Sequence, residues 1–318
     1  MVALALVISA CGGGGGGGAE EIVDEATLEG IESGKVDLSL GVDRKGDDGG
    51  QFDVDLSGPF EVEAGAKSPK LDLTAAVKGT LDGEKVDLEG GIVVVGANKA
   101  YVDFEGTDYK VDATTYGYGQ SVLGESEEVS ACQEVVEDRK LSEFIEDPTE
   151  EGTVEVGGAS TTKVSGDVDA EIASEAFSEM REDALCSEQL EAVPGFKTSL
   201  GEVEESKGGA ESAVKDARLV LYVGDDHIVR RLQAQATIEP PEGSTRGASS
   251  VELDLDLTLT DVNEPQTISA PKSSKPLTAL FVKLGINPIE LLGVLQSGIG
   301  GAGLTNFLER LADAGSTQ

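Results

Sequence analysis

Apolar and polar residues alternate with a period of two along most of the chain. Val36, Leu38, Leu40 and Val42 take alternate positions, as do Phe52, Val54 and Leu56, then Leu71, Leu73, Ala75 and Val77, with acidic or small residues between them. Successive side chains of a strand point to opposite faces, so this spacing predicts strands with one apolar and one wet face. Further runs over 86–95, 100–105 and 109–112 complete a first meander of six strands, with Gly96 to Lys99 ("GANK") as a tight turn. Five more come after an interruption, over 153–156, 161–168, 218–223, 228–238 and 251–260, which brings the predicted strands to eleven.

The interruptions carry helical spacing. Val129, Cys132 and Val136 share one helix face, and Leu141, Phe144 and Ile145 begin another turn that "EDP" at Glu146 to Pro148 is expected to stop. Between the eighth and ninth strands, Ala173, Ala176, Phe177, Met180 and Ala184 form an amphipathic stripe. Residues 20–32 predict a short helix before the first strand, and 201–209, rich in Glu, Lys and Gly, a solvated loop. Each helical insertion holds one cysteine. If both cover the same face of one sheet, Cys132 and Cys186 can meet.

Composition narrows the function classes. Lys+Arg number 24 against 61 Asp+Glu, a formal charge of -37, which repels nucleic acid and a bare anionic membrane surface alike. Apolar residues still make up 39% of the chain, and their long alternating runs serve a folded body rather than a solvating tail. Trp is absent and His occurs once, so histidine-base catalysis and multi-imidazole metal sites lack raw material, and no cofactor is expected.

The N-terminus is of a different kind. Val2 to Ile8 is apolar or small, the length of a short signal-peptide core and far below the roughly 20 residues that span a bilayer. Ile8, Ser9, Ala10 and Cys11 then resemble a bacterial lipobox, in which the cysteine becomes the acylated first residue. Gly12 to Gly18 come next as a flexible tether of about 15 Å root-mean-square span. No Lys or Arg precedes the apolar run, which leaves two readings open: a signal whose basic start lies upstream of Met1, or a hydrophobic N-terminus with an incidental cysteine. With Cys11 acylated, Cys132 and Cys186 remain as an even pair without CxxC or metal-like spacing. A disulfide is the economical reading in an oxidising compartment, worth about 4 kcal/mol by loop closure; two buried free thiols are the alternative.

The order of these features resembles the LppX/LprG (LppX_LprAFG) family of envelope lipoproteins, whose fold is similar to that of the LolA and LolB carriers. The resemblance covers about residues 20–271. It rests on "GGASTTKVSGDVD" (Gly157 to Asp169), "ARLVLYVGDDHIVRRLQAQ" (Ala217 to Gln235) and "DVNEPQTISAP" (Asp261 to Pro271), and departs at Tyr222, where members commonly carry Trp. The resemblance implies an α+β fold: a strongly curved antiparallel half-barrel whose concave face is covered by helices, leaving an apolar cavity for acyl chains. On that basis Leu38, Leu40, Val54, Leu56, Leu73, Ala75, Phe177, Met180, Leu253 and Leu255 are expected to line the cavity, and small residues such as Ala75, Ala76, Gly90, Gly91, Ala234 and Ala236 to leave room in it. The alternative from the residues alone is that the same apolar rows pack against the helices as a closed core.

The expected organisation is a signal peptide (1–10), a lipidated cysteine and tether (11–19), a lipid-binding domain (20–271) and a C-terminal helical extension (272–318). In the last, "PKSSKP" reads as a linker and Leu277, Leu280, Phe281 and Leu284 as one helical face, followed by a capped "NPIELLGVL" and by Leu304, Phe307, Leu308 and Leu311 at helical spacing. The extension is expected to pack on the domain; gating the cavity mouth or touching the membrane is the alternative. His227 beside Asp225 and Asp226 suggests a strand turn rather than a catalytic base, and Asp43 to Asp55 a solvated hairpin rather than a calcium loop. The expectation is therefore a monomeric, lipid-anchored protein of the extracytoplasmic membrane face. It binds a lipid or acylated ligand without enzymatic chemistry; a surface or interaction lipoprotein with a filled core is the other reading.

Overall fold

The computed structural model describes residues 17–46, 49–63, 66, 68–81, 84–117, 141–173, 175, 179, 214–239 and 248–285. They form one large curved open sheet with helices on one face. Its strands are β1 (Ser33–Gly46), β2 (Gly50–Glu61), β3 (Lys70–Leu81), β4 (Glu84–Gly96), β5 (Lys99–Phe104), β6 (Thr107–Lys110), β7 (Ile145–Val156), β8 (Ala159–Val168), β9 (Val214–Gly224), β10 (Val229–Ile238), β11 (Ala248–Thr260) and β12 (Lys275–Pro276). The spatial order is β12-β6-β5-β4-β3-β2-β1-β11-β10-β9-β8-β7. The first meander thus runs to one edge, and the second starts at the far edge and returns until β11 pairs with β1.

Register turns the period-two pattern into rows. Leu40 lies opposite Val54 on one side and Leu255 on the other, and Leu38 opposite Leu56 and Leu257. The rows continue through Val77 and Ala75 of β3 and through Ala234 and Leu232 of β10. A slip of one residue anywhere would send a whole strand's apolar set into water, which fixes the pairing.

Turn chemistry agrees with the sequence. Asn98 in "GANK" has φ +59°, and Gly157 and Gly158 between β7 and β8 have φ +58° and +83°, the mirror-image turn that matches strand twist. At Gly157 a Cβ would also sit 2.7 Å from Thr260 Cγ2, so conformation and space both require glycine.

Helix α1 spans Gly17–Glu25 rather than 20–32 and takes in Gly17 and Gly18 of the expected tether; two other elements also differ from the sequence reading. The helical turn expected to stop at Glu146–Pro148 is a single 3-10 turn (Leu141–Phe144), and β7 runs from Ile145 straight through Pro148. A proline lacks the N–H a ladder needs, but β7 is the edge strand. Register irregularities at Glu146/Thr149 and Glu150/Gly152, with Asp147 and Gly152 at positive φ, absorb it. The second difference is β12: Lys275–Pro276, within the expected linker, pairs in parallel with Tyr109 and Lys110, giving twelve strands rather than eleven. Two residues are too few for alternation to reveal.

Two of the described helices lie on the apolar face. Helix α1 (Gly17–Glu25) buries Ala19 and Val23 against Ile145, Val164, Leu221, Val223 and Val229. Its end is fixed by Thr27, whose N–H donates to the His227 carbonyl at 3.0 Å and whose carbonyl accepts from Val229 N–H at 3.0 Å. Helix α2 (Leu277–Lys283) sets Leu277, Leu280 and Leu284 against Val94, Ala100, Tyr109, Val111 and Tyr116, with Phe281 at the margin. Lys283 pairs with Glu105 and lies 5.1 Å over the Phe104 ring, and Gly285 at φ +64° ends the helix. Residues 275–284, placed by sequence in the extension, are therefore continuous with the sheet and its packing.

Candidate functional site: the apolar face between the two helices

Helix α1 covers the β7–β10 end of the apolar face and α2 the β4–β6 end. Between them run β3, β2, β1 and β11. Leu38, Leu40, Val54, Leu56, Leu73, Ala75, Leu253 and Leu255 all fall on this face by register, and all are half-buried. Among the described residues, Leu259 is the one buried apolar side chain these four strands contribute. The contrast with the ends is sharp: Val23 is 0% exposed and Val164 and Leu221 1% each under α1. From β4 to β10 is five strand spacings, about 24 Å, and Val36 to Val42 along β1 about 20 Å.

The sequence reading brings together eight of its ten cavity residues here. It omitted Val42, Phe52, Val77 and Leu257, which share the face in the same rows; the signal was the same alternation. Two of its space-making residues lie on the other face. Ala76 pairs with Glu89 and Gly91 with Thr74, one position out of step with the apolar rows. Gly90 is on the apolar face, and a Cβ there would lie 2.9 Å from the Asp103 carbonyl oxygen, so close strand approach is a second reason for that glycine. Cys11, Cys132, Cys186, Phe177 and Met180 lie outside the described residues, as do Val129 and Val136. The second insertion begins as a helix at residue 170, where Asp169 Oδ1 accepts from the N–H of Glu171 and Ile172 at 2.9 and 3.0 Å, an N-cap.

The opposite face is hydrophilic and internally bonded. Asp256 accepts from Arg231 Nε at 2.9 Å and Gln233 Nε2 at 2.9 Å, Tyr222 donates to Gln233 Oε1 at 3.1 Å, and Arg231 stacks 5.6 Å over the Tyr222 ring. The Arg231 hydrogen bonds hold the Asp256 carboxyl below the usual carboxylate range. A groove of about 690 Å³ opens here, lined by Lys35, Asp37, Ser39, Arg231, Asp254 and Asp256 among others. Its ionised and hydroxyl walls keep water; methylenes placed against them would strip hydration without return. The apolar rows all lie on the other face.

The quoted motifs have structural roles. Tyr222 and Arg231 are direct cross-strand partners. Asn263 Oδ1 accepts from Glu32 N–H at 2.8 Å and its Nδ2 donates to the Gly30 carbonyl at 3.1 Å, tying the segment after β11 to the entry of β1. His227, at φ +62° in the β9–β10 turn, places Nδ1 3.1 Å from Glu25 Oε2 and joins α1 to that turn.

No family model matches the chain, and no curated protein does. Solved structures similar to it include LprF from Mycobacterium bovis, 16% identical over 80% of this chain and 97% of that one at a TM-score of 0.36. The Mycobacterium tuberculosis lipoprotein LppX is 16% identical over 79% and 98% at 0.30, and a LolA superfamily protein from Nitrosomonas europaea 5% identical over 78% and 94% at 0.18. LprF and LppX belong to the family that the order of sequence features resembles. At TM-scores below one half these likenesses carry no weight for what the chain binds.

Proposed function

We propose that this chain is a lipid-anchored protein of the extracytoplasmic membrane face. It binds a lipid or acyl chain on the apolar face between α1 and α2, and shields that chain during transfer. The supporting observation is the half-buried state of the apolar rows of β1, β2, β3 and β11, between two ends where α1 and α2 each bury a cluster of side chains. Apolar rows left partly in contact with water are an energetic cost that a bound acyl chain removes. Each buried methylene contributes about 0.8 kcal/mol, so ten contribute about 8 kcal/mol before the cost of immobilising the chain. The head group remains at the edge, in water, and no covalent step is involved.

Acylation at Cys11 supplies the membrane association. From Cys11 to the start of α1 at Gly17 is six residues, at most about 20 Å, so the tether holds the sheet close to the bilayer despite the chain's charge of -37. Organic extraction of detergent-free protein, followed by mass spectrometry, tests the binding reading. A stoichiometric lipid is the expected result, and protein that neither carries a lipid nor takes up a fluorescent fatty acid refutes it.

A further inference from the structure

The apolar rows do not end at β3. Leu73 lies opposite Ile92, and its row goes on through Val102 to Tyr109; Leu71 lies opposite Val94, and its row goes on to Ala100. Helix α2 rests on that continuation, with Leu277, Leu280 and Leu284 packed against Val94, Ala100 and Tyr109. The three leucine side chains place about twelve carbons on the rows. A twelve-carbon stretch of acyl chain places as many, so exchanging one for the other is close to neutral in buried apolar surface.

The two helices are held differently. Just past α1, Thr27 bonds to the β9–β10 turn through both its N–H and its carbonyl, and Val23 is fully buried. Helix α2 has seven residues, too few to persist in water without packing. Pro276 at its N-cap offers no side-chain acceptor, its ladder to β6 is the two residues of β12, and its ion pair between Lys283 and Glu105 is partly exposed. Residues 265–274, which lead to it, belong to no strand. Among the described residues, Gln266 alone in that stretch hydrogen-bonds, to Asp261 and Glu264 of the same connection.

We propose that α2 is an internal occupant of the lipid face, packed on the β4–β6 rows when the protein is empty and displaced by an acyl chain that takes the place of Leu277, Leu280 and Leu284. The inference rests on the reading of the apolar face as the lipid site. The connection over 265–274 lets α2 move while Asn263 keeps its hold on Glu32 and Gly30. Because α2 competes from within the same molecule, the apparent affinity falls by the fraction of time it is docked and recovers when its packing is weakened.

Hydrogen exchange of the full-length chain, read by mass spectrometry with and without oleic acid, follows the displacement directly. Peptides covering 277–284 are expected to exchange about tenfold faster with oleic acid bound, and those of α1 to stay as they were. Unchanged or slower exchange in α2 with oleic acid bound overturns the proposal and leaves the lipid reading intact. Leu280→Ser is expected to bind 11-(dansylamino)undecanoic acid about tenfold more tightly than the unaltered chain, the factor for a helix docked about nine-tenths of the time. Val282→Ser, at a side chain 81% exposed on the same helix, is expected to leave that affinity unchanged. Equal or weaker binding by Leu280→Ser, with exchange in the long strands as in the unaltered chain, also overturns the proposal. Failure of the unaltered chain and of Leu280→Ser to bind either fatty acid removes the lipid reading and this inference together.

Discussion

Leu40 and Leu221 lie on the same face of the same sheet, yet their truncation is expected to have opposite signatures. Leu221, 1% exposed beneath α1, is closed in by Val23, Val164 and Val229. Leu221→Ala leaves a cavity and costs about 3 kcal/mol of folding stability. Leu40 is half-buried between Val54 and Leu255. Most of a leucine's transfer free energy is at stake there but without the enclosed cavity found under α1, so Leu40→Ala costs less, about 1.5–2 kcal/mol. Its second effect falls on the ligand. Two methylenes of an acyl chain losing their contact amount to about 1.6 kcal/mol, an affinity loss of roughly fifteenfold. Urea unfolding followed by far-ultraviolet circular dichroism gives the stability term, and displacement of a fluorescent fatty acid the binding term. If Leu40→Ala destabilises as much as Leu221→Ala and leaves probe affinity unchanged, the middle of the face is a closed core and the reasoning fails.

Four further outcomes are expected. Cys11→Ser abolishes acyl mass on the mature chain and moves the protein from the membrane fraction to the soluble one. Thiol titration of unfolded, unreduced protein finds Cys132 and Cys186 unreactive, and Cys132→Ala with Cys186→Ala lowers stability by about 2–5 kcal/mol. Asp256 has its carboxyl pulled below its unfolded value by Arg231, so its contribution is present above about pH 4 and lost as pH falls through the folded value. Asp256→Asn therefore flattens the acid limb of a stability profile measured between pH 5 and 2. Gly157→Ala, at φ +58° and against Thr260, costs about 1–2 kcal/mol or more in thermal or urea unfolding.

Much of the fold was legible because alternation survives in most of the long strands. Leu38 and Leu40 predicted a face, and register confirmed Leu56, Val54, Leu257 and Leu255 as their neighbours. The failures share a cause: local pattern does not know where an element sits in the sheet. Leu141, Phe144 and Ile145 have helical spacing for one turn, but Ile145 begins a strand because the edge position forgives Pro148. Lys275–Pro276 reads as a linker because its pairing with β6 joins positions far apart in sequence. For the site, alternation marked which residues share a face. It could not say that α1 and α2 would settle at the two ends and leave β1, β2, β3 and β11 between them, since that depends on tertiary packing. The small residues show the limit most simply: Ala75 and Ala76 look alike in composition, and parity alone sends them to opposite faces.

The irregular edge at β7 has a consequence for a population of such molecules. Proteins confined to a plane meet their neighbours far more often than the same number free in solution, and an unpaired strand edge is a template on which sheets join. Along β7, Glu146, Asp147, Glu150, Glu151 and Glu155 line a ladder broken by two irregularities, with Val154 its one exposed large apolar side chain among the described residues. Like charges meeting like charges across a broken ladder make that encounter unproductive. The far edge is shortened to the two residues of β12, the second of them a proline. A sheet this wide can thus stand shoulder to shoulder with its copies without fusing into a continuous one.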